Sequence, residues 1–414
     1  MRPISFLHCA DLHLDRPFSG ANRLPNSIHE FVRDSAYRSL RRIVDLAISN
    51  KVDFVLFAGD LFDTSYRSLK AQMTLLIELQ RLHNAGIHSY LSHGNHDALD
   101  GEWVSLTWPE SSYFFSSNVE AIPFEQDGKR LAYIHAFSYP SRHVNEKMVD
   151  RYSRVEESVY QIGMLHGNLE GQTEHSSYAP FSLSELVEKD FDYWALGHIH
   201  KRAHLLEEPP VIYPGNIQGA HRKETGAKGC YLVTLSEASP STAFHQTSDV
   251  TWHRPTIDLG AFETMQDLLQ ACEDLLNQDL FASGGHLIEI ELTGISHLHT
   301  QLLQEDQLED LLLALQLNRE VEDNHFVWPY KFSLKSQPAW DRQVLEQQEG
   351  FIKDILVKSD DYKEKNLQEA LAPLYEHRRA RKALETIDDQ DQLVKEAEEL
   401  LLSYLVENNG GDIK

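Results

Sequence analysis

Cysteine is scarce in this sequence, with only three among 414 residues. Cys9, Cys230 and Cys272 form no C-x-x-C pair, which argues against a disulfide framework and against a structural zinc site. No run of about 18 apolar residues occurs, so no transmembrane helix is predicted. The first residues, MRPISFLHCADLHLD, lack the regions of a signal peptide and are typical of a first strand. These absences predict a protein of the reducing cytoplasm that binds no membrane.

Positive charge is also in deficit. Lys and Arg number 38 against 64 Asp and Glu, which gives a net charge of −26. Proteins that bind nucleic acid over their whole surface are usually basic, so this balance argues against that class, although it is compatible with a local basic groove. The sequence contains no G-x-x-x-x-G-K-S/T loop, so any ATP hydrolysis would have to come from a partner.

The sequence does contain apolar, strand-like runs that each end in side chains able to bind metal. The clearest is VDFVLFAGDLFD at 52–63, a buried-strand pattern that stops at Gly59 and Asp60. The runs ISFLHCA, IHSYLSHG, QIGML and FDYWALG end in the same way. Together they supply the candidate site residues Asp11, His13, Asp60, Asn95, His96, His166, His198 and His200. The carboxyl ends of parallel strands lie at one edge of a sheet, where open α/β folds bind ligands, so we expect these side chains to meet.

The residue types at these strand ends favour a pair of divalent metal ions. D-x-H at 11–13 and H-x-H at 198–200 place alternate residues on one side of an extended chain, so both can face one ion. Asn95 offers a neutral carbonyl oxygen, and Asp60 is expected to bridge two ions about 3.5–4 Å apart, as two-metal hydrolases require. Nitrogen and oxygen ligands without thiolate favour manganese, iron or zinc over calcium. A lone aspartate is more often a helix cap or loop carboxylate, but a series of such motifs at strand ends argues against that interpretation.

The order of the elements predicts an α/β domain. Helical periodicity over 34–50 and 68–84 alternates with strands at 4–10, 52–58 and 87–92, which predicts right-handed crossovers and a parallel core sheet. Between these elements the chain is expected to be irregular over 16–33, and a later polar segment is expected to be helix-like over 145–161.

Changes in pattern further along the chain predict three parts. Residues 1–250 form the α/β domain. Residues 251–337 form a small α+β domain, because helical patterns at 260–280 and 297–316 each precede a strand-like run. Residues 338–414 form a charged, helical segment.

Five short motifs carry a family resemblance: DLH at 11–13, GDLFD at 59–63, GNHD at 94–97, HGN at 166–168 and GHIH at 197–200. In order and spacing they are similar to the calcineurin-like metallophosphoesterases. GDLFD, ALGHIHKR and a later PGN segment resemble DNA repair exonucleases of the SbcD type, and most nearly a bacterial subfamily called YhaO. The resemblance covers about residues 4–235. It implies a four-layer α/β/β/α sandwich, followed by an α+β capping domain that contacts DNA and by C-terminal helices.

The resemblance also implies a role for each site residue. One ion would be held by Asp11, His13, Asp60 and His200, and the other by Asp60, Asn95, His166 and His198. The two ions would be manganese by preference, with iron or zinc as alternatives. His96 would stabilise the transition state or protonate the leaving oxygen. Asp63 departs from the pattern, because some nucleases of the family carry a histidine near this position, so no catalytic role is carried over to it.

The implied activity is that of a metal-dependent DNA nuclease in DNA repair, acting as an exonuclease on DNA ends and as an endonuclease on single strands. A phosphatase or small-nucleotide phosphodiesterase would use the same metal core, and a mainly structural subunit is a third alternative. Family nucleases pair with a long coiled-coil ATPase, so DNA and such an ATPase are the expected partners, and a homodimer is also allowed. The helices after residue 338, with Leu367, Ala370, Leu371 and Leu374 at helical spacing, would either dock the ATPase or complete the core.

Overall fold

The fold is taken from a computed structural model of the chain. It describes residues 2–20, 24–63, 68–101, 104–156, 158–171, 178–281, 284–304, 306–317, 319, 325–347, 350–365, 370, 372–373, 376 and 390–407. The chain divides into two compact units. The first comprises Met1–His253, Leu280–Ile288 and Glu320–Tyr330, and the second comprises Arg254–Asp279, Glu289–Arg319 and Lys331–Lys414. The division into domains at residues 250 and 337 stays a prediction.

The structure contains strands as far along the chain as Pro338, with helices between and after them. The strands are β1 Ile4–Cys9, β2 Phe54–Ala58, β3 His88–Ser92, β4 Ser112–Phe114, β5 Glu120–Gln126, β6 Lys129–Ala136, β7 Tyr160–His166, β8 Tyr193–Gly197, β9 Ala203–Glu207, β10 Pro210–Tyr213, β11 Gly229–Leu235, β12 Ser241–Gln246, β13 Val250–His253, β14 Thr256–Asp258, β15 Gly285–Thr293, β16 Ile295–Ser296, β17 Phe326–Leu334 and β18 Gln337–Pro338. The α-helices are α1 Asn26–Arg33, α2 Ser35–Asn50, α3 Leu69–Asn84, α4 Leu183–Glu188, α5 Met265–Leu276, α6 Leu298–Leu302, α7 Gln307–Leu317, α8 Arg342–Gln347, α9 Phe351–Lys365 and α10 Gln390–Glu407. Within the described residues, no helix is both long enough and apolar enough to cross a membrane.

Two six-stranded sheets form the centre of the first unit. The first sheet has the order β12-β11-β1-β2-β3-β4, and the second has the order β5-β6-β7-β8-β10-β9. In the first sheet β1, β2, β3 and β4 run parallel, and β11 and β12 add antiparallel strands at one edge. In the second sheet β6, β7, β8 and β10 run parallel, between antiparallel β5 and β9. All strands that carry predicted site residues are therefore among the parallel ones.

The two sheets pack face to face, with helices on their outer faces. Buried side chains of both sheets, including Phe6 and Phe54 from the first and Ile162 and Tyr193 from the second, form one central core. Apolar side chains of α2 and α3 pack on the outer face of the first sheet. The outer face of the second sheet packs against α4 and a 3₁₀ turn at Met148–Arg151. These layers confirm the expected α/β/β/α sandwich.

Two segments of the first unit differ from the expectation. Residues 16–33 were expected to be irregular, but α1 forms there because Ile28 and Val32, four residues apart, are buried against Trp252 and Leu287. The prediction of a helix-like segment over 145–161 is wrong. Among the described residues of this segment the one helical element is the 3₁₀ turn at Met148–Arg151, and β7 already begins at Tyr160. Polar periodicity in this segment is outweighed by tertiary burial of the apolar side chains of Met148, Val149 and Tyr152.

The second unit is mixed α and β. Its helix α5 begins at a capping box, in which Thr264 and Asp267 each accept a hydrogen bond from the main-chain N–H of the other. The helical pattern over 297–316 forms two helices, α6 and α7, instead of one. Leu345, Leu356 and Leu402 of α8, α9 and α10 share a small apolar cluster. Of the four residues named for ATPase docking, Leu367, Leu371 and Leu374 lie outside the described residues.

Candidate metal centre

The eight predicted site residues all lie in the first unit, in loops that follow parallel strands. Asp11 and His13 follow β1, Asp60 follows β2, and Asn95 and His96 follow β3. In the second sheet His166 ends β7, and His198 and His200 follow β8. The structure brings seven of them together in two overlapping groups, and places His96 beside the first group.

The loops that follow β1 and β2 are joined by main-chain hydrogen bonds. Asp11 N donates to Gly59 O at 3.1 Å, and His13 N donates to Asp60 O at 3.0 Å. Asp11, His13 and Asp60 adopt positive φ angles of 52°, 42° and 50°. A left-handed conformation costs a non-glycine residue roughly 1–2 kcal/mol, and such strain clusters at functional sites. The paired loops therefore hold these side chains in a conformation that the local sequence alone does not favour.

The first group consists of Asp11, His13, His200 and Asp60. Ligand atoms of Asp11, His13 and His200 all lie within 4.8 Å of one another. Nε2 of His13 is 3.0 Å from Nε2 of His200 and 3.6 Å from Oδ2 of Asp60. Nδ1 of His13 is buried and has no hydrogen-bond partner among the described residues. Such a convergence of ring nitrogens and carboxylates fits a bound cation.

The second group consists of Asp60, Asn95, His166 and His198. Nε2 of His166 is 3.0 Å from Oδ1 of Asn95 and 3.3 Å from Oδ2 of Asp60, and Nδ1 of His198 is 3.1 Å from the same Asn95 oxygen. Nδ1 of His166 donates a hydrogen bond to the Ala58 carbonyl at 3.0 Å. In a neutral ring Nε2 then presents a lone pair to two oxygen atoms, which is the arrangement that a cation between them would satisfy. Asp60 is common to both groups.

The pKa values in this cluster reflect close, buried charges. Burial would lower the pKa of His166, but the carboxylates of Asp60 and Asp11 and the Ala58 carbonyl raise it to about 9. Burial would raise the pKa of Asp60, but the charges of His166 and His13 hold it well below its ordinary value. Burial raises the pKa of Asp11 and lowers that of His13. A proton on His166 compensates the carboxylates of this cluster, and a divalent cation would compete with it.

His96 lies at the solvent side of the first group. Its main-chain N–H donates to Oδ1 of Asp60 at 2.9 Å, and its ring makes an edge contact with His13 at a centroid distance of 4.9 Å. Nδ1 of His96 is 3.8 Å from Oδ2 of Asp63. The His96 side chain is 32% exposed, whereas those of the candidate ligands His13 and His166 are at most 5% exposed. His96 is therefore placed to meet a substrate, and Asp63 is placed to contact His96.

Two residues that support the site were not identified from the sequence. Asp97 accepts hydrogen bonds from Leu61 N at 2.9 Å and from Gly94 N at 2.6 Å, so it ties the loop after β3 to the loop after β2. Its place three residues after Gly94 is a signal that could have suggested this role. Glu224 lies 2.6 Å from Nδ1 of His200, and no local pattern in its loop indicates that contact. Burial would raise the pKa of Glu224, but His200 and Arg16 hold it well below its ordinary value.

Comparison with known proteins gives the family. Residues 4–202 match the family described as calcineurin-like phosphoesterase, and residues 252–337 match the middle domain of metallophosphoesterase YhaO. The chain is 42% identical over 330 residues to the uncharacterized metallophosphoesterase YhaO of Bacillus subtilis (strain 168), covering 79% of this chain and 81% of that protein.

More distant relatives are named as DNA repair proteins. The DNA double-strand break repair protein Mre11 of Sulfurisphaera tokodaii is 26% identical, with 58% of this chain and 62% of that protein aligned. The protein of the same name from Aeropyrum pernix is 28% identical, with 61% and 63% aligned. The chain thus spans somewhat less than two-thirds of these Mre11 proteins. On the sandwich fold, the convergent ligands and the extent of the YhaO match, this chain belongs to the YhaO subfamily of the calcineurin-like metallophosphoesterases, a family of phosphoester hydrolases.

Proposed function

We propose that this protein is a metal-dependent DNA nuclease that hydrolyses phosphodiester bonds in DNA repair, as an exonuclease on DNA ends or an endonuclease on single strands. The observation that carries the proposal is the position of Asp60, whose carboxylate lies within 3.3–3.6 Å of ring nitrogens from both ligand groups, with His96 exposed beside it. The Mre11 relatives, named for double-strand break repair, support DNA as the substrate.

The residues present fit two divalent ions. Asp11, His13, Asp60 and His200 would hold one, and Asp60, Asn95, His166 and His198 the other, with manganese as the ion we propose. When bound, such a pair neutralises charge on the phosphoryl group and lowers the pKa of water. A carbonyl oxygen fixes the ring of His166, and a carboxylate fixes the ring of His200, so both imidazoles are oriented before any ligand arrives.

His96 is the residue to which we assign proton transfer. Its backbone is held by Asp60 and its ring lies between His13 and solvent, so it reaches an incoming phosphodiester without displacing the ligand groups. With Nδ1 towards Asp63, Nε2 is the ring atom that we assign to the leaving oxygen. The carboxylate of Asp63 lies on the Nδ1 side of the ring and would orient it. General acid assistance of this kind contributes about 10²–10⁴ in rate.

The test compares substrates and one variant. Chelator-treated protein is supplied with Mn²⁺ and assayed on end-labelled duplex DNA, single-stranded DNA, a small phosphodiester and a phosphomonoester. We expect both the DNA and the small diester to be cleaved. His96→Leu should lower turnover on DNA by about 10²–10⁴ with unchanged metal content. The matched control is His29→Leu, on the exposed side of α1, which should have no effect.

Two results would contradict the proposal. Hydrolysis of the phosphomonoester without cleavage of DNA would favour the phosphatase alternative. The net charge of −26 suits a small substrate better than DNA. Loss of metal in His96→Leu, or unchanged turnover, would remove the role assigned to His96.

We also propose a coiled-coil ATPase as the partner of the C-terminal helices. Val344, Phe351 and Val357 on α8 and α9 are more than half exposed, which is unusual for large apolar side chains and suits a protein partner. The sequence contains no phosphate-binding loop, so a motor would act in trans. Co-expression with such an ATPase tests the contact. A Phe351→Ser/Val357→Ser variant should fold and no longer co-purify, and undiminished co-purification would argue against docking on α9.

A further inference from the structure

We propose that Glu224 is a positioning residue for His200, which it holds in the tautomer that presents Nε2 to the metal site. Glu224 lies in the loop between β10 and β11, far from the five sequence motifs. The inference rests on the proposed metal-dependent activity and concerns how one ligand of that site is prepared. It follows from the hydrogen bonds of Glu224.

The first step is the contact with the ring. Oε1 of Glu224 lies 2.6 Å from Nδ1 of His200. An ionised carboxylate only accepts hydrogen bonds, whereas the guanidinium of Arg16, 3.3 Å from the same Nδ1, only donates. The contact with Glu224 is much the shorter of the two, so we place the proton of the neutral imidazole on Nδ1. Nε2 then carries the lone pair, and it lies 3.0 Å from Nε2 of His13 in the first ligand group. In the other tautomer Nε2 would carry a proton and would not bind a cation.

The second step is the rigidity of the carboxylate. Its Oε2 accepts the main-chain N–H groups of Ala220 at 2.8 Å and His221 at 3.1 Å. Its Oε1 also accepts from the guanidinium of Arg16 at 2.9 Å. The side chain of Glu224 is only 11% exposed. Both oxygens are therefore fixed, and the position of the carboxylate determines the orientation of the imidazole.

The third step is the second contact between this loop and His200. Nζ of Lys228 donates to the main-chain carbonyl of His200 at 2.7 Å. The loop therefore fixes the backbone of His200 with Lys228 and its ring with Glu224. A simpler interpretation is that Glu224 only closes the loop through its ion pair with Arg16. The two interpretations differ in what removal of each partner should do.

The variant Glu224→Gln distinguishes between a positioning role for Glu224 and a role in closing the loop only. The amide has the shape of the carboxylate, and its oxygen can still accept the N–H groups of Ala220 and His221. Its NH₂ group then faces Nδ1 of His200 and donates to it, which moves the ring proton to Nε2. Arg16→Met is the control, because it leaves the contact between Glu224 and His200. It removes the ion pair with Glu224 and also the 3.3 Å approach of the Arg16 guanidinium to Nδ1 of His200.

The experiment uses the full chain with two readouts. Mn²⁺ is titrated into chelator-treated protein by calorimetry, and the His200 tautomer is read without metal from ¹⁵N shifts of labelled histidine. We expect Glu224→Gln to lower the affinity for one of the two Mn²⁺ ions by about 10–100-fold and to leave the affinity for the other unchanged. It should also shift His200 to the Nε2–H tautomer. Arg16→Met should keep the wild-type tautomer and bind both ions within a few-fold.

Specific outcomes would overturn the inference. These are an unchanged His200 tautomer in Glu224→Gln, an equal loss of affinity for both Mn²⁺ ions in that variant, or a loss of Mn²⁺ affinity in Arg16→Met as large as that in Glu224→Gln. A wild-type protein that binds two ions and shows the expected tautomer, but cleaves no DNA, would contradict the proposed nuclease function and leave the role of Glu224 standing.

Discussion

At the scale of single residues, the site depends on the absence of side chains as much as on their presence. A Cβ added to Gly94 would lie 2.3 Å from Oδ1 of Asp60 and 2.6 Å from Nε2 of His166. Real Cβ atoms do not approach other atoms this closely, so one of the two ligands would have to move. The glycine of GNHD is therefore a packing requirement of the ligand groups.

Gly94→Ala tests that requirement. We expect the shared ligand Asp60 and His166 to be displaced, so Mn²⁺ affinity should fall by at least tenfold. The free energy of unfolding should fall by about 1–3 kcal/mol, the usual cost of overpacking. Calorimetric titration and urea unfolding give the two quantities.

Gly171→Ala is the control for Gly94→Ala. A Cβ there would meet no described atom within 4 Å, although its φ of +83° disfavours alanine. Gly171→Ala should lower the free energy of unfolding and leave the Mn²⁺ affinity unchanged. Wild-type metal affinity in Gly94→Ala would show that the close contacts with Asp60 and His166 are relieved without cost to the site.

Sequence patterns predicted which candidate ligand side chains converge, but not which residues support them. Asp60 and His166 stand at the ends of apolar runs, so their convergence follows from strand direction alone. Glu224 contacts His200, and Asp97 contacts Leu61, through hydrogen bonds between loops that are distant in sequence, and no local periodicity encodes these two contacts. The positive φ angles of Asp11 and His13 likewise depend on bonds to the loop after β2.

At the scale of elements, β1 and β8 belong to different sheets and are joined by His8 in the core between them. The hydroxyl of Tyr193 donates to Nδ1 of His8 at 3.0 Å, and Nε2 donates to the carbonyl of Leu196 at 3.2 Å. Burial lowers the pKa of His8 to about 3, and the hydrogen bond to Leu196 opposes this only in part. The two sheets therefore pack around a neutral imidazole.

This histidine predicts a loss of stability in acid. The unfolded chain binds a proton at His8 below pH 6.5, whereas the folded chain does not until about pH 3. The contribution of His8 is thus fully present above pH 6.5 and is lost as the pH falls. In that interval the free energy of unfolding should fall by about 1.4 kcal/mol per pH unit from this group.

The check is urea unfolding of chelator-treated protein at pH 5 and pH 7. His8→Gln offers a donor and an acceptor without titrating, and should flatten the pH dependence by about that slope. His29→Gln on the exposed side of α1 should leave it unchanged. An equally steep loss in His8→Gln would assign the acid sensitivity to other groups, such as His135, whose pKa burial lowers to about 4.

Elements were predictable where the local pattern and the tertiary environment agree. The sequences of the parallel strands are continuous apolar runs because both faces of these strands are buried. The sequences of α2 and α3 show amphipathic periodicity because one face of each helix packs on a sheet. Helix α1 was missed because Ile28 and Val32 become a face only against Trp252 and Leu287, which lie far along the chain.

At the scale of the whole molecule, the net charge and the proposed DNA substrate have to be reconciled. A net charge of −26 disfavours contact with DNA over most of the surface. The two are compatible if contact with the phosphodiester is confined to the metal site. The proposed DNA cleavage should then depend strongly on divalent metal, because bound ions would supply positive charge that the surface lacks.

The most direct measurement is the number of Mn²⁺ ions bound per chain, by calorimetric titration of chelator-treated protein. Two ions are expected for the wild type. Asp60→Asn keeps the shape of the shared ligand and removes its charge, so both ions should bind more weakly, whereas Asp127→Asn at an exposed position should change neither. Binding of one ion or none to the wild type, or two ions bound with unchanged affinity in Asp60→Asn, would contradict a dinuclear centre built around Asp60.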